Sequence, residues 1–117
     1  MFIAYREDHL FSHMMVGSND LDRSKKFYDA LFTAIGGRPG RMDEKGRLVY
    51  LNNGGIFIVT KPIDGQPATH GNGCTIGFAV DGPEQADAWH KAGLEAGEPL
   101  SRTRPACGRE VSAACIW

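Results

Sequence analysis

The sequence predicts an α+β fold, and three stretches carry that prediction. Residues 11–37, FSHMMVGSNDLDRSKKFYDALFTAIGG, read as a strand, a turn and a helix in succession. Asn52-Asn53-Gly54-Gly55 is a hairpin signal set between two apolar runs, because Asn and Gly tolerate the positive φ such turns need. Residues 71–97, GNGCTIGFAVDGPEQADAWHKAGLEAG, repeat the strand–helix pattern about 60 residues after the first, the spacing of an internal duplication.

Each element follows from its residues. The run 11–16 is mostly apolar and too short for a buried helix, so it is a strand, and it contains His13. Gly17-Ser18-Asn19-Asp20 breaks it. Leu21, Phe27, Tyr28, Leu31, Phe32 and Ile35 then recur at helical spacing on one broad face. Asn19 or Asp20 can cap this helix, Asp22 suits its positive end, and Gly36-Gly37 ends it through a left-handed cap. Residues 38–46 are polar and form an edge strand or loop, with a turn at Glu44-Lys45-Gly46. Leu48, Tyr50 and the run Ile56-Phe57-Ile58-Val59 mark two strands, so a β-α-β-β-β unit closes near Lys61. Residues 62–73 are a Gly/Pro-rich loop and 75–80 the next strand. Pro83 occupies the first position of a second helix, where its missing N–H costs nothing. Ala86, Trp89, His90, Gly93 and Leu94 share a face of that helix, and Gly97 is its expected cap.

Composition narrows the function classes. A length of 117 residues is one domain, enough for a real core. A net charge of −1 gives no reason to expect nucleic acid or an anionic membrane as partner. No apolar run approaches a membrane span, and no secretion signal opens the chain. Cys74, Cys107 and Cys115 are odd in number and lack CxxC spacing, which reads as free thiols in a reducing cytoplasm. No phosphate-cradling glycine loop, nucleophile elbow or Ser-His-Asp arrangement is present.

The histidine in the first strand, the NDLDRSKKFYDALF run after the turn, the Gly-Gly that follows and the second βα start resemble the vicinal oxygen chelate superfamily. That superfamily includes glyoxalase I, bleomycin-resistance proteins and extradiol dioxygenases. The resemblance covers roughly residues 10–98 and implies paired βαβββ modules forming a cupped mixed β-sheet. Module one spans about 10–61 and module two about 74–117. Residues 1–9 lie upstream of the family-like start, as an extension, a mis-assigned start or an ordered strand extension. The tail 99–117, PLSRTRPACGREVSAACIW, does not carry the strands the resemblance calls for, so the second module reads as incomplete. We read that tail as an out-of-frame continuation, against a divergent or truncated end.

The resemblance also implies a site. In metal-dependent members four strand side chains hold a divalent cation such as Zn, Ni, Fe or Mn, leaving positions open for two adjacent substrate oxygens. His13 matches the first ligand. Ile58-Val59-Thr60 stand where the second would be and offer no carboxylate, Thr75 stands at the third, and the fourth has no counterpart. His70, in the loop before Thr75, is the candidate substitute. A strand histidine is more often hydrogen-bonded in a core or lining a cavity than bound to metal, and a loop histidine more often solvated. Tyr50, Phe57 and Thr75 are the candidate ligand-lining residues. The expected function is small-molecule binding in the sheet cavity without the full metal site; the alternative is a metal-dependent lyase or dioxygenase. A homodimer is expected, since family members bury their open sheets against one another.

Overall fold

The computed structural model describes residues 10–52, 54–69, 73–96, 103–104 and 113–116, the last two segments as backbone alone. The element order is β1 (Met14–Gly17), α1 (Leu21–Ala34), β2 (Arg41–Met42), β3 (Leu48–Asn52), β4 (Gly55–Thr60), β5 (Ile76–Ala79), α2 (Pro83–Glu95), β6 (Thr103–Arg104) and β7 (Ala113–Ile116). The first five elements make the β-α-β-β-β unit that the sequence predicts. Residues 1–9, and with them the reading of the upstream segment, lie outside the described residues, as does most of the tail.

The first sheet is mixed, in the order β1-β4-β3-β2. β1 runs parallel to β4 with Met14 level with Phe57, whereas β3 is antiparallel to both β2 and β4. β1 starts later than the apolar run suggests. Counting back along its register puts Ser12 level with Gly55, where β4 begins, and Phe11 level with the hairpin turn. Phe11 therefore has no described strand to pair with and is 68 % exposed. The hairpin forms as expected, with Asn52 opposite Gly55 and Gly54 at φ +80°.

α1 begins and ends as its sequence dictates. The Asp20 carboxylate accepts from the Arg23 amide, satisfying one of the first-turn donors. At the other end Gly36 takes φ +81°, its N–H donates to the Thr33 carbonyl, and the Gly37 N–H donates to that of Phe32. This paired arrangement is a Schellman cap, which only a residue free to adopt positive φ closes without strain. α2 has Pro83 at its start and Gly82 as N-cap, with no side chain capping it; Ala96 closes it, and Gly97 lies outside the described residues.

The core sits between the first sheet and the two helices. Strand alternation sends Leu48, Tyr50, Phe57 and Val59 to one face of the sheet, where they meet Phe27, Leu31, Phe32 and Ile35 of α1 and the Trp89 of α2. The rings interlock. Phe32 stacks on Tyr50 at 4.7 Å and meets Trp89 edge-on at 5.5 Å, while Phe78 of β5 lies 4.9 Å from Trp89 and 5.2 Å from Phe57. Such pairs add about 0.5–1.5 kcal/mol each beyond the area they bury. This aromatic cluster joins the second strand–helix unit to the first.

Beyond α2 the described backbone departs from a copy of module one. β5 pairs antiparallel with β7, and β7 with β6, in a separate sheet of order β5-β7-β6. The parallel pairing that opens module one has no equivalent among the described strands.

Candidate functional site

A cavity of about 310 Å³ opens where the β3–β4 hairpin of module one meets β5 of module two. Its walls carry Met14, Phe32, Tyr50, Asn52, Phe57 and Phe78, and Gly55 and Gly77 widen it by lacking side chains. Among the described residues no charged side chain lines it. The volume lies at the small end of the range for ligand pockets, which are mostly apolar with a few placed polar groups.

One wall is held by a polar network. Asp29 on α1 accepts from the Tyr50 hydroxyl at 2.7 Å, from the Gly40 amide at 2.8 Å and from the Lys25 ammonium. Burial works to raise the Asp29 pKa, but these hydrogen bonds and the Lys25 charge outweigh it and hold the carboxyl below the ordinary range. Burial, then the adjacent Asp29 carboxylate, pushes the Tyr50 pKa up, so the hydroxyl stays a neutral donor. Its proton is directed at Asp29, and the ring presents its apolar body to the cavity. Gly40 completes the arrangement by close approach, because a Cβ there would lie 2.6 Å from Tyr50 Cζ.

The structure brings some of the sequence candidates together and separates others. Tyr50 and Phe57 line the cavity side by side. Thr75 is exposed and does not line it. His13 immediately precedes β1; its Nδ1 is 2.9 Å from the Ser12 hydroxyl, and its neighbour Met14, not His13, faces the cavity. His70 lies outside the described residues. Sequence reasoning missed Met14 and Asn52, although both alternate in phase with Phe57 and Tyr50 once the strand register is known.

The metal that the superfamily implies does not fit the described residues. Thr60 is the most polar group of Ile58-Val59-Thr60, and its hydroxyl donates to the Lys61 carbonyl. Ile58 and Val59 are buried hydrocarbon. Among the described residues no three His, Cys, Asp or Glu side chains gather into a cation site.

A search of solved structures finds a crystal structure of a glyoxalase/bleomycin resistance protein from Albidiferax ferrireducens T118. The two chains are 55% identical, the match covers 76% of this chain and 73% of that one, and the TM-score is 0.72. This chain belongs to the glyoxalase/bleomycin resistance protein family. No family model matches it, and no curated protein does. Membership accounts for the βαβββ unit and the second βα start, and the fold is the family's α+β fold. Among the described residues no helix is long and apolar enough to cross a membrane.

Proposed function

We propose that this family member binds an uncharged, largely aromatic small molecule in the cavity between its two modules, without a metal ion. The observation that carries this reading is the lining. Rings of Phe32, Tyr50, Phe57 and Phe78 surround a space whose described lining carries no charged side chain, and Asn52 borders it with a side-chain amide that can orient a polar substituent. A flat ring gains dispersion and edge-to-face contacts there, while an anion or cation would lose its hydration without a partner. The alternative, a metal-dependent lyase or dioxygenase, needs ligands that the described residues do not assemble.

Two further parts of the reading concern setting. Leu10, Phe11 and Met15 are exposed beside β1, an edge strand of the first sheet, which supports pairing with a second copy along that edge. Exposed, unpaired Cys74 supports a reducing, cytoplasmic location.

Trp89 gives the test. It touches Phe32 and Phe78, both cavity residues, so an occupied cavity changes its fluorescence. In a Trp117→Phe background, titration with 2-naphthol in a chelator-containing buffer is expected to change Trp89 emission saturably. Naphthalene-2-sulfonate, the same ring with a charge, is expected to bind at least about tenfold more weakly. Equal binding of the two, or none by 2-naphthol, contradicts the reading.

A further inference from the structure

A second cleft, of about 570 Å³, lies on the opposite side of β3, between that strand and the chain that leads from α1 into β2. Asn52 borders both spaces, but the chemistry of the two differs. The cleft is lined by Arg38 and Arg41 together with Met42, Val49 and Leu51. Asp43 is its acidic residue, and that carboxylate is already engaged. One oxygen accepts from the Lys45 and Arg47 amides and the other from Arg47 Nε at 2.6 Å. Arg47 therefore neutralises Asp43, while neither Arg38 nor Arg41 has an ion pair among the described residues. Two guanidinium groups without an ion pair among the described residues thus stand beside an apolar strip.

The segment that carries them is fixed in place. Gly37 is tied to Phe32 by the helix cap, Pro39 has a fixed φ, the Gly40 amide is bound to Asp29, and Arg41 pairs with Val49 in the sheet. Part of the β3 edge is also open. Asn52 pairs with Gly55 across the two-residue hairpin, so alternation turns the N–H and C=O of Leu51 away from β4. β2 reaches only to Val49, so no described strand pairs with Leu51 on that side.

We infer that this cleft is a binding site for an amphipathic organic carboxylate, with the carboxylate on Arg38 and Arg41 and the apolar part on Val49 and Leu51. An amide next to the carboxylate would meet the open Leu51 edge. The site shares Asn52 with the aromatic cavity but takes the charged ligand class which that cavity disfavours. Arginine's planar fork suits a carboxylate, and a segment held at both ends loses little freedom on binding.

Hippurate, which joins a carboxylate, an amide and a phenyl ring, is the probe. Followed by ¹H–¹⁵N NMR of the full chain, it is expected to shift the Leu51 amide and the Arg38 and Arg41 Nε–H signals saturably. N-benzylacetamide, which lacks the carboxylate, and the Arg38→Gln/Arg41→Gln variant titrated with hippurate are each expected to bind about tenfold more weakly. Both arginines are exposed, so the variant is expected to keep the wild-type spectrum elsewhere. In the unmodified chain, raising salt from about 0.02 to about 0.5 M is expected to weaken hippurate binding, which keeps the test open should the variant misfold. The inference is overturned by no shift at these groups, by equal affinity for N-benzylacetamide, or by salt-independent binding. A cleft closed by a second copy of the chain would give the first of those results. Loss of 2-naphthol binding alone, with hippurate binding intact, would sink the aromatic cavity and leave this site standing.

Discussion

The two modules start alike and end differently. In module one a capped helix covers a four-stranded β1-β4-β3-β2 sheet, and four strand residues with four helix residues make most of the core. In module two the strand and helix form, and Trp89 is fully buried. Yet β5 pairs antiparallel with β7, in a three-stranded sheet of its own. Its largest contributions to the core are Phe78 and Trp89, which reach into the aromatic cluster of module one, with Ile76, Val80 and Ala92 packed around them. A βα unit can thus dock on a completed neighbour around two large rings. The space left beside the docked strand is the aromatic cavity.

The largest expected effect tests that asymmetry. Phe57→Ala, in the buried wall of module one, is expected to cost about 3–5 kcal/mol in denaturant unfolding. Phe78→Ala, on a half-buried strand of module two, is expected to cost about half as much. Equal losses would show that the modules share the core evenly.

The polar network is next. Tyr50→Phe removes the donor to Asp29 and is expected to cost about 1–3 kcal/mol. Gly40→Ala, which drives a methyl into Tyr50, should cost a similar amount, about 1–3 kcal/mol. The same groups set the pH response. Asp29 has a depressed folded pKa, so its stabilisation is present above the unfolded value of about 4 and is lost as pH falls through the folded one. Tyr50 has a raised folded pKa, so its contribution is complete below about pH 10 and fades above it. Unfolding curves of Asp29→Asn are expected to show a shallower acid limb, and those of Tyr50→Phe a shallower alkaline one. Limbs identical to the unmodified chain would place the titration elsewhere.

The smallest effects compare the helix starts. Asp20→Ala removes the α1 cap and is expected to cost about 1 kcal/mol. Gly82→Asp gives α2 the cap it lacks. The backbone there is extended and open, so the change is expected to stabilise by a few tenths of a kcal/mol. A loss from Gly82→Asp would mean that module two is limited by something other than its helix start.

Module one was largely legible in the sequence because its signals are local. The Asp20 cap, the Gly36-Gly37 ending, the Asn53-Gly54 hairpin and the face from Phe27 to Ile35 each depend on residues a few positions apart. The limit of β1 was not legible, since Phe11 loses its partner only through the register with β4. The site was half legible. Tyr50 and Phe57 stand out as in-phase strand aromatics, and they do line the cavity. Met14 joins them by parallel pairing across more than forty residues of chain, which no local pattern encodes. Arg38 and Arg41 looked like ordinary polar loop residues, because the neutralisation of Asp43 by Arg47 is visible only once the turn is folded. His13 drew attention through the superfamily resemblance, and the structure places it beside the cavity wall rather than in it.

The inter-module cavity is proposed to bind an uncharged aromatic molecule without metal. Calorimetric titration of 2-naphthol into the chain tests it most directly, before and after exhaustive dialysis against a chelator, with His13→Ala alongside. One affinity is expected for all three samples. Binding that disappears on chelation, returns with a divalent ion and is lost in His13→Ala would contradict it and restore the metal-dependent reading.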